Sequence, residues 1–256
     1  SVAQLVGTID VSGVVTRGGV KDDVDILATG RFEKPTVDLT KKRKVTISYS
    51  LTGDDAFNYS TPNSSTDSAY IIPLQLVANA PDITLSKSYD GNKIATVVPG
   101  TLQNVIEGFA DFTFTASGQY DNPNVGTGKT ITVAYSIDGK DAVNYIKPNN
   151  YIVNNGVITA SDDVVVDFES VVFDTAKVYD GTDTIHIIYS GNLIGIDDED
   201  SVKLITRAHY DNANVGGSKT IIIEYELVGP DKDNYTTPKS VTINNGVITP
   251  RALGLQ

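Results

Sequence analysis

The sequence has no cysteine, no methionine and no tryptophan, and only two histidines. Without cysteine there is no disulfide scaffold, no thiolate metal site and no cysteine nucleophile. Two histidines exclude a multi-histidine metal centre. Positive charge is scarce as well: 20 Lys and Arg stand against 32 Asp and Glu, a formal net charge of −12 over 256 residues. That balance argues against nucleic acid or an anionic membrane as the main partner. No apolar run approaches the ~20 residues that a membrane span needs, so no membrane insertion is expected. Helical signals are missing too, since no segment combines a 3.6-residue apolar stripe with caps. A chain without methionine is expected to be a fragment of a longer precursor. Its length suits two or three domains at roughly 100–200 residues each.

What the sequence does contain is a repeat. Lys87-Ser88-Tyr89-Asp90-Gly91 returns ninety positions on as Lys177-Val178-Tyr179-Asp180-Gly181. Tyr120-Asp121-Asn122-Pro123-Asn124-Val125-Gly126 returns as Tyr210-Asp211-Asn212-Ala213-Asn214-Val215-Gly216. Asn154-Asn155-Gly156-Val157-Ile158-Thr159 returns unchanged at 244–249. An earlier, more divergent copy is visible in Val45-Thr46-Ile47-Ser48-Tyr49, in Gly53, Asp55 and Asn58-Tyr59, and in the alignment of Val37 with Val125. It has no Tyr-Asp-Gly. Boundaries are placed to give 1–77 as a divergent or truncated first repeat, 78–164 as the second and 165–256 as the third.

Period-two alternation recurs in all three copies. Val45, Ile47, Tyr49 and Leu51 share one face, as do Ile131, Val133, Tyr135 and Ile137, and Ile221, Ile223, Tyr225 and Leu227. Such alternation reads as a half-buried antiparallel strand. Gly, Asn, Asp and Pro punctuate the runs as hairpins require. The expected fold is all-β: a tandem array of small antiparallel modules, immunoglobulin-like sandwiches by their strand spacing, with β-grasp-like modules as the alternative.

These motifs resemble the YDG repeat family of bacterial surface proteins, found in filamentous-haemagglutinin-like adhesins. The family pattern is Lys-x-Tyr-Asp-Gly-Thr, then Asn-Val-Gly-x-x-Lys, then Gly-x-Asp-x-x-Asn-Tyr, and a closing Ile-Thr-Pro. The third copy carries all four, in 177–182, 214–219, 229–235 and 248–250. The second has Asn92 for Thr and Ala160 for Pro; the first lacks the opening motif and has Asp38 for the Asn-Val-Gly glycine. The resemblance implies an exported module at the bacterial cell surface, either a structural stalk or an adhesin. It implies no catalytic residues. The expected function is a stalk that projects a binding region. The alternatives are an adhesive module for a host glycan or protein, and an accessory module of an extracellular enzyme. Carbohydrate binding is weakened by the lack of tryptophan for sugar stacking. The fragment itself is expected to be a monomer and not an enzyme.

Tyr89-Asp90-Gly91 and Tyr179-Asp180-Gly181 read as structural turns. The Asp caps the turn, the Gly takes positive φ, and the Tyr gives its ring to the core and its hydroxyl to a partner. Asn-Asn-Gly at 154–156 reads as a permissive pair before the last strand, as a hairpin or bulge would need. Asp162, Asp163, Asp167 and Glu169 cluster at the junction of copies two and three and are the candidate ligands for Ca²⁺. The acidic run Asp197-Asp198-Glu199-Asp200 reads as a solvated loop. His186 reads as an ordinary strand residue and His209 as loop surface. Gly126-Thr127-Gly128-Lys129-Thr130 lacks the full spacing of a phosphate loop and leads into a strand, so no nucleotide site is expected.

Overall fold

The computed structural model describes residues 12–254 and the backbone of the two-residue strand Val2–Ala3. The all-β class expected from the alternation is the one that forms. Among the described residues the helical segments are four single 3-10 turns: Ala56–Asn58, Ala142–Asn144, Phe168–Ser170 and Lys232–Asn234. No helix is long and apolar enough to cross a membrane.

The third repeat is built on a five-stranded sheet in the order Ala176–Val178, Val241–Thr249, Gly216–Val228, Lys203–Tyr210, Thr184–Ile185. Ala176–Val178 runs parallel to its neighbour Val241–Thr249, and the other neighbouring pairs are antiparallel. The second repeat has the same order, and its first strand Ser86–Ser88 lies parallel to Tyr151–Thr159. The first repeat has a four-stranded sheet, Val2–Ala3, Asp25–Phe32, Arg43–Thr52, Ser65–Ala69, with antiparallel pairs throughout. Among the described residues that sheet holds no strand equivalent to Ser86–Ser88 or Ala176–Val178. Two-stranded ribbons complete the third repeat, Val165–Asp167 with Asn192–Ile194 and Val172–Phe173 with Ile187–Tyr189.

The alternating residues face the core as expected. Ile131, Val133, Ile221 and Ile223 are fully buried, and Val45 and Leu227 nearly so. The chain divides into two compact units that do not follow the repeat period. One comprises Ser1–Ala80, Pro99–Thr115 and Tyr135–Asn149; the other comprises Pro81–Val98, Ala116–Ala134 and Asn150–Gln256. In the second unit one apolar cluster joins Tyr89, Tyr120, Ile131, Ile158 and Val164 of repeat two to Leu227 and Tyr235 of repeat three. A second cluster, with Tyr210, Ile221, Ile223 and Ile248, belongs to repeat three alone.

Two sets of repeated glycines have different causes. Gly91 and Gly181 sit at φ +74 and +85, as turn chemistry requires. Gly229 has φ +125, and a Cβ there would run into the carbonyl oxygen of Ser201; Gly53 and Gly139 are confined in the same way by Asp23 and Asp111. Gly156 and Gly246 lie inside the last strand, not before it, and the pairing register shifts beside them as a bulge requires. They are kept small because the rings of Tyr120 and Tyr210 press on them from the core side. The expected result is therefore an order of costs. Gly181→Ala, with open space around it, should destabilise by about 1–2 kcal/mol through backbone strain. Gly229→Ala should destabilise by about 3 kcal/mol or more, because strain and a backbone clash add. Denaturant melts of the two variants check this, and equal costs would refute it.

Candidate functional site

The residues that recur in all three copies converge on one construction, the Gly-x-Asp-x-x-Asn-Tyr turn. The Asp side chain opens it: Asp55, Asp141 and Asp231 accept the N–H of Asp23, Asp111 and Ser201 at 2.9, 3.0 and 2.8 Å. A 3-10 turn follows and delivers the Asn and Tyr. The Tyr hydroxyl then accepts a backbone N–H from 38–44 residues upstream, that of Val15, Ile106 or Asp197, at 2.8, 3.0 and 2.9 Å. The Tyr thus fastens the turn within its own repeat.

The Asn acts outward. Asn234 Oδ1 accepts the N–H of Val125 at 3.0 Å, and Asn144 Oδ1 accepts the N–H of Val37 at 2.9 Å. Each donor is the valine of the Asn-Val-Gly position in the preceding repeat. Backbone pairing reinforces the contact. Tyr145–Ile146 runs parallel to Leu74–Gln75, and the Leu76 N–H donates to Ile146 O at 2.9 Å. At the second junction the Ser161 N–H donates to Asn234 O, and the Thr236 N–H to Ser161 O, both at 2.9 Å.

The second junction adds an aromatic contact. Tyr89, from the Tyr-Asp-Gly turn of repeat two, packs edge-on against Tyr235, with ring centroids 5.4 Å apart. Both hydroxyls donate to Oδ2 of Asp200, at 2.8 Å from Tyr89 and 2.6 Å from Tyr235. Burial and the Asp200 carboxylate both resist loss of the phenol proton. They hold Tyr235 up at about 12 and raise Tyr89 further above the usual phenol range. Asp200 is therefore a junction residue, whereas Asp197, Asp198 and Glu199 are exposed as the loop reading expects. The first junction has no Tyr-Asp-Gly tyrosine. An apolar cleft lined by Pro35, Val37, Ile72, Leu74, Ile106 and Tyr145 opens there.

The remaining motifs hold the loops in shape. Asp90 and Asp180 accept the N–H of residues 92 and 182 at 3.2 and 2.9 Å, the turn-capping bond expected for them. Lys87 and Lys177 bind these carboxylates at 2.6 and 2.8 Å and lie over the rings of Tyr120 and Tyr210. Hydrogen bonds from Lys177 and then from Thr182 draw Asp180 down to about 2. The lysine of Asn-Val-Gly-x-x-Lys is buried. Lys129 donates to Asn122 Oδ1 at 2.6 Å, and Lys219 to Asn212 Oδ1 at 2.9 Å.

The four carboxylates assigned to Ca²⁺ do not converge. Among the described residues no three His, Cys, Asp or Glu side chains come close enough to hold a metal ion. Asp162 accepts the Thr236 hydroxyl at 2.6 Å, and Asp163 donates its N–H to Ser161 Oγ at 3.3 Å. Asp167 ends a strand and Glu169 lies in the 3-10 turn that follows. The spacing that looks dense in the sequence is divided among a bend at Asp162, the strand Val165–Asp167 and the 3-10 turn Phe168–Ser170. His186 is exposed, with Nδ1 3.5 Å from Asp174. His209 lies in the strand Lys203–Tyr210, not in a loop. Sequence reasoning missed Asn144, Asn234 and Asp200. The Asn-Tyr pair in all three copies was the available signal for the first two; Asp200 had none.

Two outcomes are expected at the second junction. Asn234→Ala leaves the Val125 N–H unpaired and should lower stability by about 1–3 kcal/mol, read from denaturant melts. The alkaline response follows from the raised tyrosines. An unfolded tyrosine loses its proton near pH 10, whereas folded Tyr235 keeps its proton to about 12. In that window the unfolded state binds fewer protons, so stability is full below pH ~10 and falls as pH rises toward 12. Tyr235→Phe should flatten this decline in a stability-versus-pH series; an unchanged slope would count against the raised phenol.

No curated protein and no solved structure matches the chain. The model of the YDG domain matches residues 73–152 and again 165–243. These two matches span more than half of the sequence and contain both Asn-Tyr turns that reach into a preceding repeat, so the chain belongs to the YDG domain family.

Proposed function

We propose that the chain is a run of structural repeats from a bacterial cell-surface adhesin, exported from the cell, non-catalytic, and serving as a stalk that carries a binding region. The observation that supports this most is the repeated lock: the same Asn side chain joins repeat two to repeat one and repeat three to repeat two. A stalk needs consecutive modules fixed to one another. The recurring residues are spent on that fixing, in the Asp turn, the Tyr clasp, the Asn bridge and the buried Lys. A catalytic site would be expected as a singular cluster of perturbed titratable groups. The perturbed groups here recur with the repeats and serve turns and junctions.

An adhesive role in the same fragment would need a surface that binds host glycan or protein. On an array of glycans and host extracellular proteins the chain is expected to show no dose-dependent binding. Pulled between its ends, it should resist unfolding at a force that drops in Asn234→Ala. A reproducible array hit would replace the stalk by the adhesive reading, and a force unchanged by the substitution would remove the lock as its basis.

A further inference from the structure

Two junction halves on this chain remain open to solvent, and they complement each other. On the third repeat, Tyr179 stands where Tyr89 stands in the second, and Val215 where Val125 stands. The backbone holds both tyrosines alike: the Tyr89 N–H donates to Thr159 O at 2.8 Å and the Tyr179 N–H to Thr249 O at 2.9 Å. Burial differs. Tyr89 is 7% exposed and Tyr179 40%; Val37, covered at the first junction, is 7% exposed and Val215 48%.

The opposite half is found on the first repeat. Tyr59 donates its hydroxyl to Asp22 Oδ2 at 2.7 Å and accepts the Val15 N–H at 2.8 Å. Tyr235 does the same with Asp200 and Asp197. Asn58 precedes Tyr59 as Asn234 precedes Tyr235, and it is exposed. Repeat two is different, because its Tyr145 hydroxyl donates to the backbone carbonyl of Phe109 instead of a carboxylate. Among the described residues the Tyr hydroxyl of this turn donates to a carboxylate in repeats one and three, at Asp22 and Asp200. In repeat three the turn is occupied by Tyr89 and Val125; in repeat one it is open.

We propose that the Tyr179–Val215 surface of the third repeat binds the Asn58–Tyr59 turn of a second copy of this chain. Asn58 Oδ1 accepts the Val215 N–H, the Tyr179 ring packs against Tyr59, and the Tyr179 hydroxyl donates to Asp22. The contact is heterologous, joining unlike surfaces of two copies. It departs from the monomer expected of the sequence. It rests on the junction geometry and not on the surface-stalk reading, so the two can fail separately.

Sedimentation velocity over a concentration series from about 10 μM to about 1 mM tests it. The unmodified chain should show a weight-average sedimentation coefficient that rises with concentration. Asn58→Ala and Tyr179→Ala, both at exposed positions, should each remain monomeric over the whole series with unaltered melting. Mixed in equal amounts they should form a one-to-one dimer, because each retains the half that the other has lost. A chain that stays monomeric throughout, variants that associate like the parent, or a mixture that does not dimerise would each overturn the proposal.

Discussion

One side-chain amide sets the arrangement of this protein. A backbone N–H at the edge of a β module needs a partner once it is taken out of water, and leaving it unpaired costs about 1–3 kcal/mol. Val37 and Val125 each present such an N–H, and Asn144 and Asn234 of the following repeat satisfy it. The amide can reach only because it stands on a rigid mount. The Asp bond, the left-handed glycine and the upstream N–H accepted by Tyr fix the turn before the Asn extends from it. The mount is local to one repeat and the bridge belongs to two. This is why the motif needs all of its spaced residues together.

The compact units follow from the same contact. Their limits fall within the second repeat, so each unit contains one repeat-to-repeat junction with what packs around it. In the second unit one apolar cluster spans the boundary near 164. In linear repeat proteins, stability is approximately a sum of intrinsic terms and nearest-neighbour terms. Here the neighbour term includes buried Tyr89, Val164, Leu227 and Tyr235, so it is of the same kind as the intrinsic one. The first junction reaches a similar result by another route. It lacks the tyrosine pair and uses a short parallel ribbon and the buried Leu76.

The sequence made the strands legible because alternation is a one-dimensional signal. Val45 through Leu51, Ile131 through Ile137 and Ile221 through Leu227 face the core as their period requires. The Tyr-Asp-Gly turns were legible for the same reason, since Asp90, Asp180 and both glycines act within a few residues of themselves. The junction was not legible, because its partners lie far apart in the chain. Asn234 and Val125 are 109 residues apart, and Asp200 and Tyr89 are 111. Nothing local to Asp200 separates it from Asp197 and Asp198. The four carboxylates read as Ca²⁺ ligands are near in the chain, but among the described residues they do not gather in space.

A motif period and a folding unit are therefore different things in this chain. The family matches begin at 73 and 165 and mark where the pattern restarts. A cut after 164 would separate Tyr89, Tyr120, Ile158 and Val164 from Leu227 and Tyr235, which share one core. It would also strip the donor from Asn234 and one phenol from Asp200. Each exposed apolar group would forfeit roughly 25 cal/mol per Å² of area returned to water. Tyr179 and Val215, the counterparts of Tyr89 and Val125, have 40% and 48% of their surface exposed. A repeat excised at its sequence boundary thus carries one half of a junction at each end. The part of the structure that behaves as a unit is the junction together with the two half-repeats that meet in it.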